Sequence, residues 1–311
     1  MLRVSSLCNT FNPLFVSIGR LYCWGKNESG CLGINNARMR ILPEQNNLLH
    51  TRIHSIDIND HTVIALDENG CVYTWGNRSK IMHNAKKQPV YFTEYKPTRV
   101  DYLNSVRIRN VACGEGYFLA LTYDGFHVFI WGEDIIYNTI PSKIMHRISG
   151  MNLGETRKIK KIVSGKRHAV FLLTNGEVWG LGDMFSDRIF PDENENKQDF
   201  WQEVTPETLL KPFRLPIQEN IIDVQCGETH TLYLDNNNNA YISGYYTNIK
   251  NDPIYKIATE VDYIFCGMYS SLFYRKNAKT EIMGENANGE LSTKAEHIPV
   301  IRNPIEIILP V

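Results

Sequence analysis

Nine histidines and seven cysteines are the side chains of this sequence best suited to holding a metal or attacking a substrate, and their spacing argues against both. No Cys-x-x-Cys pair occurs, nor a His-Glu-x-x-His, a Gly-x-Ser-x-Gly or a Gly-x-x-x-x-Gly-Lys run. His61, His168 and His230 fall at one point of an internal repeat. Three imidazoles on one face would suit a transition metal, whereas a histidine at a hairpin entrance more often hydrogen-bonds the backbone there and fixes the loop. The repeat spaces these three too widely to meet on a single ion. Catalytic residues, metal and cofactor are therefore all expected to be absent. What remains is recognition chemistry. Glu115, Lys166, Arg167 and Glu228 sit beside the repeated histidine position. Charged side chains grouped there would face a protein partner.

The elements that position these residues are hairpins. In Val163 to Asp183, VSGKRHAVFLLTNGEVWGLGD, two short apolar runs flank Asn-Gly, a pair that tolerates the positive φ angles of a tight turn. Setting Gly25, Gly76, Gly132, Gly182, Gly244 and Gly284 in register gives six copies at intervals of 51, 56, 50, 62 and 40 residues. An upstream pair keeps the same register: Cys8-Asn9, Asn59-Asp60, Cys113-Gly114, Ser164-Gly165, Cys226-Gly227 and Cys266-Gly267. Units of this size cannot bury both their faces alone and must stack. Gly284 is followed by 27 residues and Gly25 closes the first 25, so a wrap-around unit would have 52, close to the others. On that count Arg302 to Pro310 begin a blade that Leu2 to Trp24 complete. The two ends would then share one sheet and leave no free edge. The opening MLRVSSLCNTFNPLFVSIG, interrupted by Asn9, Asn12 and Pro13, reads as part of that structure and not as a cleaved leader.

These residues resemble the regulator of chromosome condensation family of β-propellers, whose repeats carry a pattern like Cys-Gly-x-x-His followed by a hairpin and Trp-Gly. Gly25-Lys-Asn27-Glu-Ser-Gly30-Cys-Leu32-Gly33 matches the extended family motif, and Gly284-Glu-Asn286-Ala-Asn-Gly289-Glu-Leu291 is a weaker copy. The resemblance implies an all-β propeller, a single domain over 1–311. Six blades are expected from the repeat, with seven, the usual family number, as the alternative. Trp24, Trp75 and Trp131 are expected in packing between blades.

The resemblance also implies a function. Family members that exchange nucleotide on the Ran GTPase use acidic and histidine residues in loops matching Glu115, His168, Glu228 and His230, and push a projecting wedge into the nucleotide pocket. Here Lys166 and Arg167 put two positive charges where those members carry an acidic residue. The longest connection, at about 183–216, has eight Asp or Glu with aromatics interleaved. It resembles the wedge in approximate position, which makes Phe185, Asp187, Arg188 and Phe190 candidate contacts. Two readings follow: exchange on a Ran-like small GTPase, or a non-exchanging adaptor for a protein or ribonucleoprotein.

Charge and cysteine usage bound the setting. The formal net charge is −1, yet residues 1–170 hold 22 Lys or Arg against 13 Asp or Glu, while 171–311 hold 11 against 21. A basic first half invites chromatin or nucleic-acid contact, although solvated strand faces need no partner. Scattered thiols in odd number point to a reducing compartment, nucleus or cytosol. No apolar run reaches the roughly 18 residues a membrane helix needs, and a monomer is expected.

Overall fold

The repeated apolar hairpins become the middle strands of antiparallel meanders. The computed structural model describes residues 14–59, 62–77, 93–132, 146–148, 151, 157–182, 211–244, 254–276, 279–285, 291 and 300–306. The chain falls into two units, Met1–Ile162 with Thr205–Lys211, and Val163–Val204 with Pro212–Val311.

In the first unit β1 (Leu14–Ser17), β2 (Arg20–Gly25) and β3 (Arg40–Gln45) form one sheet. The next joins β4 (Ile53–Asn59), β5 (Thr62–Asp67), β6 (Val72–Asn77) and β7 (Thr93–Arg99). A third joins β8 (Ile108–Gly114), β9 (Tyr117–Thr122), β10 (Val128–Gly132) and β11 (His146–Arg147). The unit boundary runs through β12 (Ile159–Ser164), which opens a sheet continued by β13 (His168–Leu173), β14 (Val178–Gly182) and β15 (Phe213–Arg214). The second unit adds β16 (Ile221–Cys226), β17 (His230–Asp235), β18 (Ala240–Gly244) and β19 (Tyr255–Ala258). Its last sheet holds β20 (Tyr263–Cys266), β21 (Ser270–Tyr274), β22 (Glu281–Glu285) and β23 (Val300–Glu306). Strand order equals chain order in all six sheets, as short turns between antiparallel neighbours dictate. The expected all-β class is what the structure shows.

The core lies between sheets. The second strands TVIALD, YFLALT, HAVFLL and HTLYLD are buried at every residue. Uninterrupted apolar runs of this kind suit strands covered on both faces. Leu14, Leu21 and Leu32 pack with Ile56, Val63 and Trp75 across the first two sheets. Val170, Leu172, Val224 and Tyr233 do the same between the sheets that begin at β12 and β16. The motif beginning at Gly25 is a clasp in this packing. Asn27, 1% exposed, accepts the Leu32 amide on Oδ1 at 2.9 Å, and the turn so formed aims the Cys31 carbonyl at Trp75 Nε1, 2.7 Å away. Trp75 is thus a packing residue, as expected. Trp131 stacks on its cross-strand partner Phe118, with ring centroids 5.6 Å apart.

The closing glycines have a steric cause. At Gly182 φ is +113°, and a Cβ there would lie 2.4 Å from the Arg167 carbonyl oxygen. Any larger residue would break the entry to β13.

One expectation changes. Val300–Glu306 pairs with Glu281–Glu285 as the outer strand of its own sheet, so Arg302 to Glu306 do not begin a blade for Leu2 to Trp24. The reason is chain order: each sheet takes its fourth strand from the residues that follow its closing glycine. The rest of that expectation, in 1–13 and 307–311, lies outside the described residues. The 21 residues between Gly244 and Cys266 supply an outer strand in the same way, β19, which completes the sheet begun by β16.

Candidate functional site

Between the first and second strands of a sheet the chain turns through two residues, and these turns carry the charged candidates. Glu115 lies half-buried in the β8 to β9 turn of the first unit. In the second unit the turns are Lys166-Arg167, Glu228-Thr229 and Met268-Tyr269. Backbone bonds tie these three in a row: Lys166 N donates to Glu228 O at 3.0 Å, and Glu228 N to Met268 O at 2.8 Å. Within each turn the glycine before it donates to the residue that starts the next strand, Gly165 to His168 O and Gly227 to His230 O.

The histidines stand beneath this rim. His168 and His230 are 1% and 0% exposed. A Cβ on Gly165 would lie 2.1 Å from the His168 ring, and one on Gly227 2.2 Å from the His230 ring. The Gly-x-x-His spacing is therefore a packing requirement. Each imidazole reaches the following sheet: His168 Nε2 shares a hydrogen bond with Thr231 Oγ1 at 3.0 Å, and His230 Nε2 with Ser271 Oγ at 2.9 Å. Burial draws the pKa of His230 down to about 4, against a smaller opposing effect from the Ser270 backbone. It is neutral at pH 7. Their burial takes both histidines away from any partner and makes them fasteners between sheets. Sequence reasoning missed their hydroxyl partners. The signal was present, since a hydroxyl residue directly follows the histidine position in the next copy, Thr231 after His230 and Ser271 after Ser270.

The charges rearrange as well. Lys166 Nζ meets Glu228 Oε1 at 2.5 Å, with the Glu228 side chain 4% exposed and that of Lys166 27%. The positive charge expected to stand alone is met from the next sheet. Glu228 Oε2 and Thr229 Oγ1 are buried with no hydrogen-bond partner among the described residues. Arg167 is half-buried beside the pair. Phe185, Asp187, Arg188 and Phe190 lie outside the described residues, as does most of 183–216, although Phe213–Arg214 from its end form β15. His61 also lies outside them. Among the described residues no three His, Cys, Asp or Glu group as a metal site, and six cysteines are free thiols. No helix among them is long and apolar enough to cross a membrane. Among its described residues the rim keeps its hydroxyl–imidazole pairs, His168 with Thr231 and His230 with Ser271, buried. It offers a preordered polar surface.

A family model described as the regulator of chromosome condensation (RCC1) repeat matches residues 19–64 and 69–121, and a second of the same description matches 159–186. The ultraviolet-B receptor UVR8 of Arabidopsis thaliana is 29% identical over 174 residues, 53% of this chain and 38% of its own length. Ras guanine nucleotide exchange factor C of Dictyostelium discoideum is 26% identical over 231 residues, 70% of this chain and 15% of its own. The chain thus spans well under half of either relative. Among solved structures, Prp20p of Saccharomyces cerevisiae, described with its binding to Gsp1p and histones, aligns at a TM-score of 0.75. The alignment covers 98% of this chain and 76% of that one, and at 17% identity it speaks to fold alone.

Proposed function

We propose that the loop rim of this chain, which carries RCC1-like repeats on a β-propeller fold, binds a Ran-like small GTPase and promotes nucleotide exchange. The observation that carries this reading is the backbone tie from Lys166 through Glu228 to Met268. A rim already ordered before a partner arrives loses little conformational freedom on binding. Exchange asks for no acid or base. It asks only that the surface favour the nucleotide-free GTPase over the loaded one, which is differential binding. Support also comes from a relative named as a guanine nucleotide exchange factor and from the Gsp1p binding described for Prp20p. In this reading Lys166 and Arg167, beside the buried Glu228, contact the GTPase, while Phe185, Asp187, Arg188 and Phe190 are the candidate wedge residues. The single propeller acts as a monomer in the nucleus or cytosol.

The test is release of labelled GDP from purified Ran with and without the protein. Acceleration that vanishes when 187–198 are deleted is the expected result; an unchanged release rate overturns the reading. A second function, an adaptor without exchange activity, is favoured by one contact. Lys166 already occupies the Glu228 carboxylate that a GTPase would otherwise engage. An adaptor leaves GDP release untouched while the Lys166→Ala variant loses its protein partner in a pull-down.

A further inference from the structure

The turn joining β9 to β10 has side chains that the fold does not require. Matching turns in the neighbouring repeats are polar, Asp67-Glu68-Asn69-Gly70, Thr174-Asn175-Gly176 and Asp235-Asn236-Asn237-Asn238. This one reads Thr122-Tyr123-Asp124-Gly125, followed by Phe126 where the neighbours have Cys71, Glu177 and Asn239. Gly125 N donates to Thr122 O at 3.0 Å, and Asp124 closes the turn by accepting from the Phe126 amide at 3.0 Å. The reversal is thus complete without help from either ring. Tyr123 is nevertheless 57% exposed, and Tyr102, in the short 3₁₀ turn Asp101–Leu103 ahead of β8, is 79% exposed.

Cations hold the turn from both sides. The Arg107 guanidinium lies 4.3 Å from the centre of the Tyr123 ring, and the Lys158 ammonium 5.1 Å from that of Phe126. Both contacts are within the range of cation–π attraction. Arg109 donates to the Ile159 carbonyl, whose own amide bonds Gly125 O, so β8, the turn and β12 are fastened together here. Arg157 and Lys160 extend the exposed basic surface along β12. The carboxylate nearest the rings, Asp124, is engaged within its own turn by Thr122 and Phe126.

We propose that this end of the first unit binds single-stranded nucleic acid, with Tyr123 and Phe126 stacking on bases and the surrounding Arg and Lys side chains meeting phosphates. The inference goes beyond the GTPase reading and does not depend on it. A basic surface alone would attract any polyanion. Rings steadied by cations, Tyr123 exposed and Phe126 half-buried, add a platform that only an open base can use, which duplex DNA, with its bases stacked on each other, does not offer. An acidic protein would use the charges and leave the rings idle.

The experiment is fluorescence anisotropy on the full chain with oligo(U) and oligo(dT) of about 16 nucleotides, a site size for such surfaces. A duplex of equal length and heparin serve as controls, at about 50 and 200 mM salt, where phosphate contacts separate clearly. Both single strands, or the ribose form alone, should bind more tightly than the duplex. Tyr123→Ala should weaken binding by about tenfold or more with an unchanged salt slope, as loss of one stacked base does. Lys158→Gln with Lys160→Gln should instead flatten the slope by about one to two. Because Tyr123 is exposed its variant keeps the fold, which an unchanged melting temperature verifies, so the result does not hang on Phe126. Absence of single-strand binding overturns the proposal. So does equal affinity for duplex and heparin together with indifference to Tyr123→Ala, which would mark a charge-only surface.

Discussion

Asp57 is half-buried in β4, where its Oδ2 accepts the Cys113 amide of the adjacent sheet at 2.8 Å. Burial raises its pKa from 3.8 to about 6, outweighing the hydrogen bonds from Cys113 and Ile58 that favour the charged form. The folded pKa lies above the unfolded one, so the contribution to stability is complete below pH 3.8 and is lost as pH rises through 6. His230 runs the other way. Its folded pKa, about 4, lies below the ordinary 6.5, so its contribution is complete above pH 6.5 and is lost as pH falls through 4. Each shift, at about 1.4 kcal/mol per unit, is worth about 3 kcal/mol over its full window. Between pH 4 and 6 the two slopes oppose each other, and wild-type stability should change little with pH on their account. Asp57→Asn keeps an oxygen for the Cys113 amide and removes the titration. Relative to wild type, its stability should rise by about 2 kcal/mol from pH 4.5 to pH 7, the part of the Asp57 window that lies in that interval. Urea unfolding of both proteins at the two pH values measures this difference. A variant whose stability tracks the wild type at both would refute the assignment of a half-buried, titrating Asp57.

Trp75→Ala should cost about 3 to 5 kcal/mol in chemical denaturation, the usual loss for a large core ring, whereas Trp75→Phe should cost less, chiefly the bond to Cys31 O. Gly182→Ala places a Cβ 2.4 Å from the Arg167 carbonyl oxygen at a φ of +113°, and should lower the melting temperature more than Ala at exposed Asn175. Thr231→Val removes the hydroxyl partner of His168 at nearly constant volume and should cost about 1 to 3 kcal/mol, since it orphans a buried polar atom. Lys166→Met should destabilise the second unit, and Glu228→Gln in the same chain should restore part of the loss. A double-mutant cycle on urea midpoints gives the coupling.

What the sequence disclosed was periodic and local, because local spacing is what a single chain can display. Six closing glycines in register foretold six hairpins, and Asn-Gly at 175–176 foretold a tight turn where Gly176 has a φ of +83°. The apolar runs foretold the buried second strands, since a strand covered on both faces leaves no polar alternation to read. What misled was pairing across sheets. The end-to-end count placed the start of a shared blade at Arg302 because 52 residues matched the period, yet period is blind to which strand a segment bonds. Val300–Glu306 bonds Glu281–Glu285.

The same blindness governed the rim. Read along the chain, Lys166 was a positive charge in an acidic place, and the two histidines were contacts waiting for a partner. Lys166 and Glu228 are 62 positions apart, and only stacking of successive sheets brings them to one ion pair. His168 and His230 look alike for the same reason: each is completed by a hydroxyl from the following repeat, so the motif is a property of neighbouring copies and not of one. A Gly-x-x-His followed by Thr or Ser in the next copy is therefore evidence of stacked sheets. Surface chemistry in such a chain is better sought where a residue breaks the repeat without serving the stack, as the rings at Tyr123 and Phe126 do.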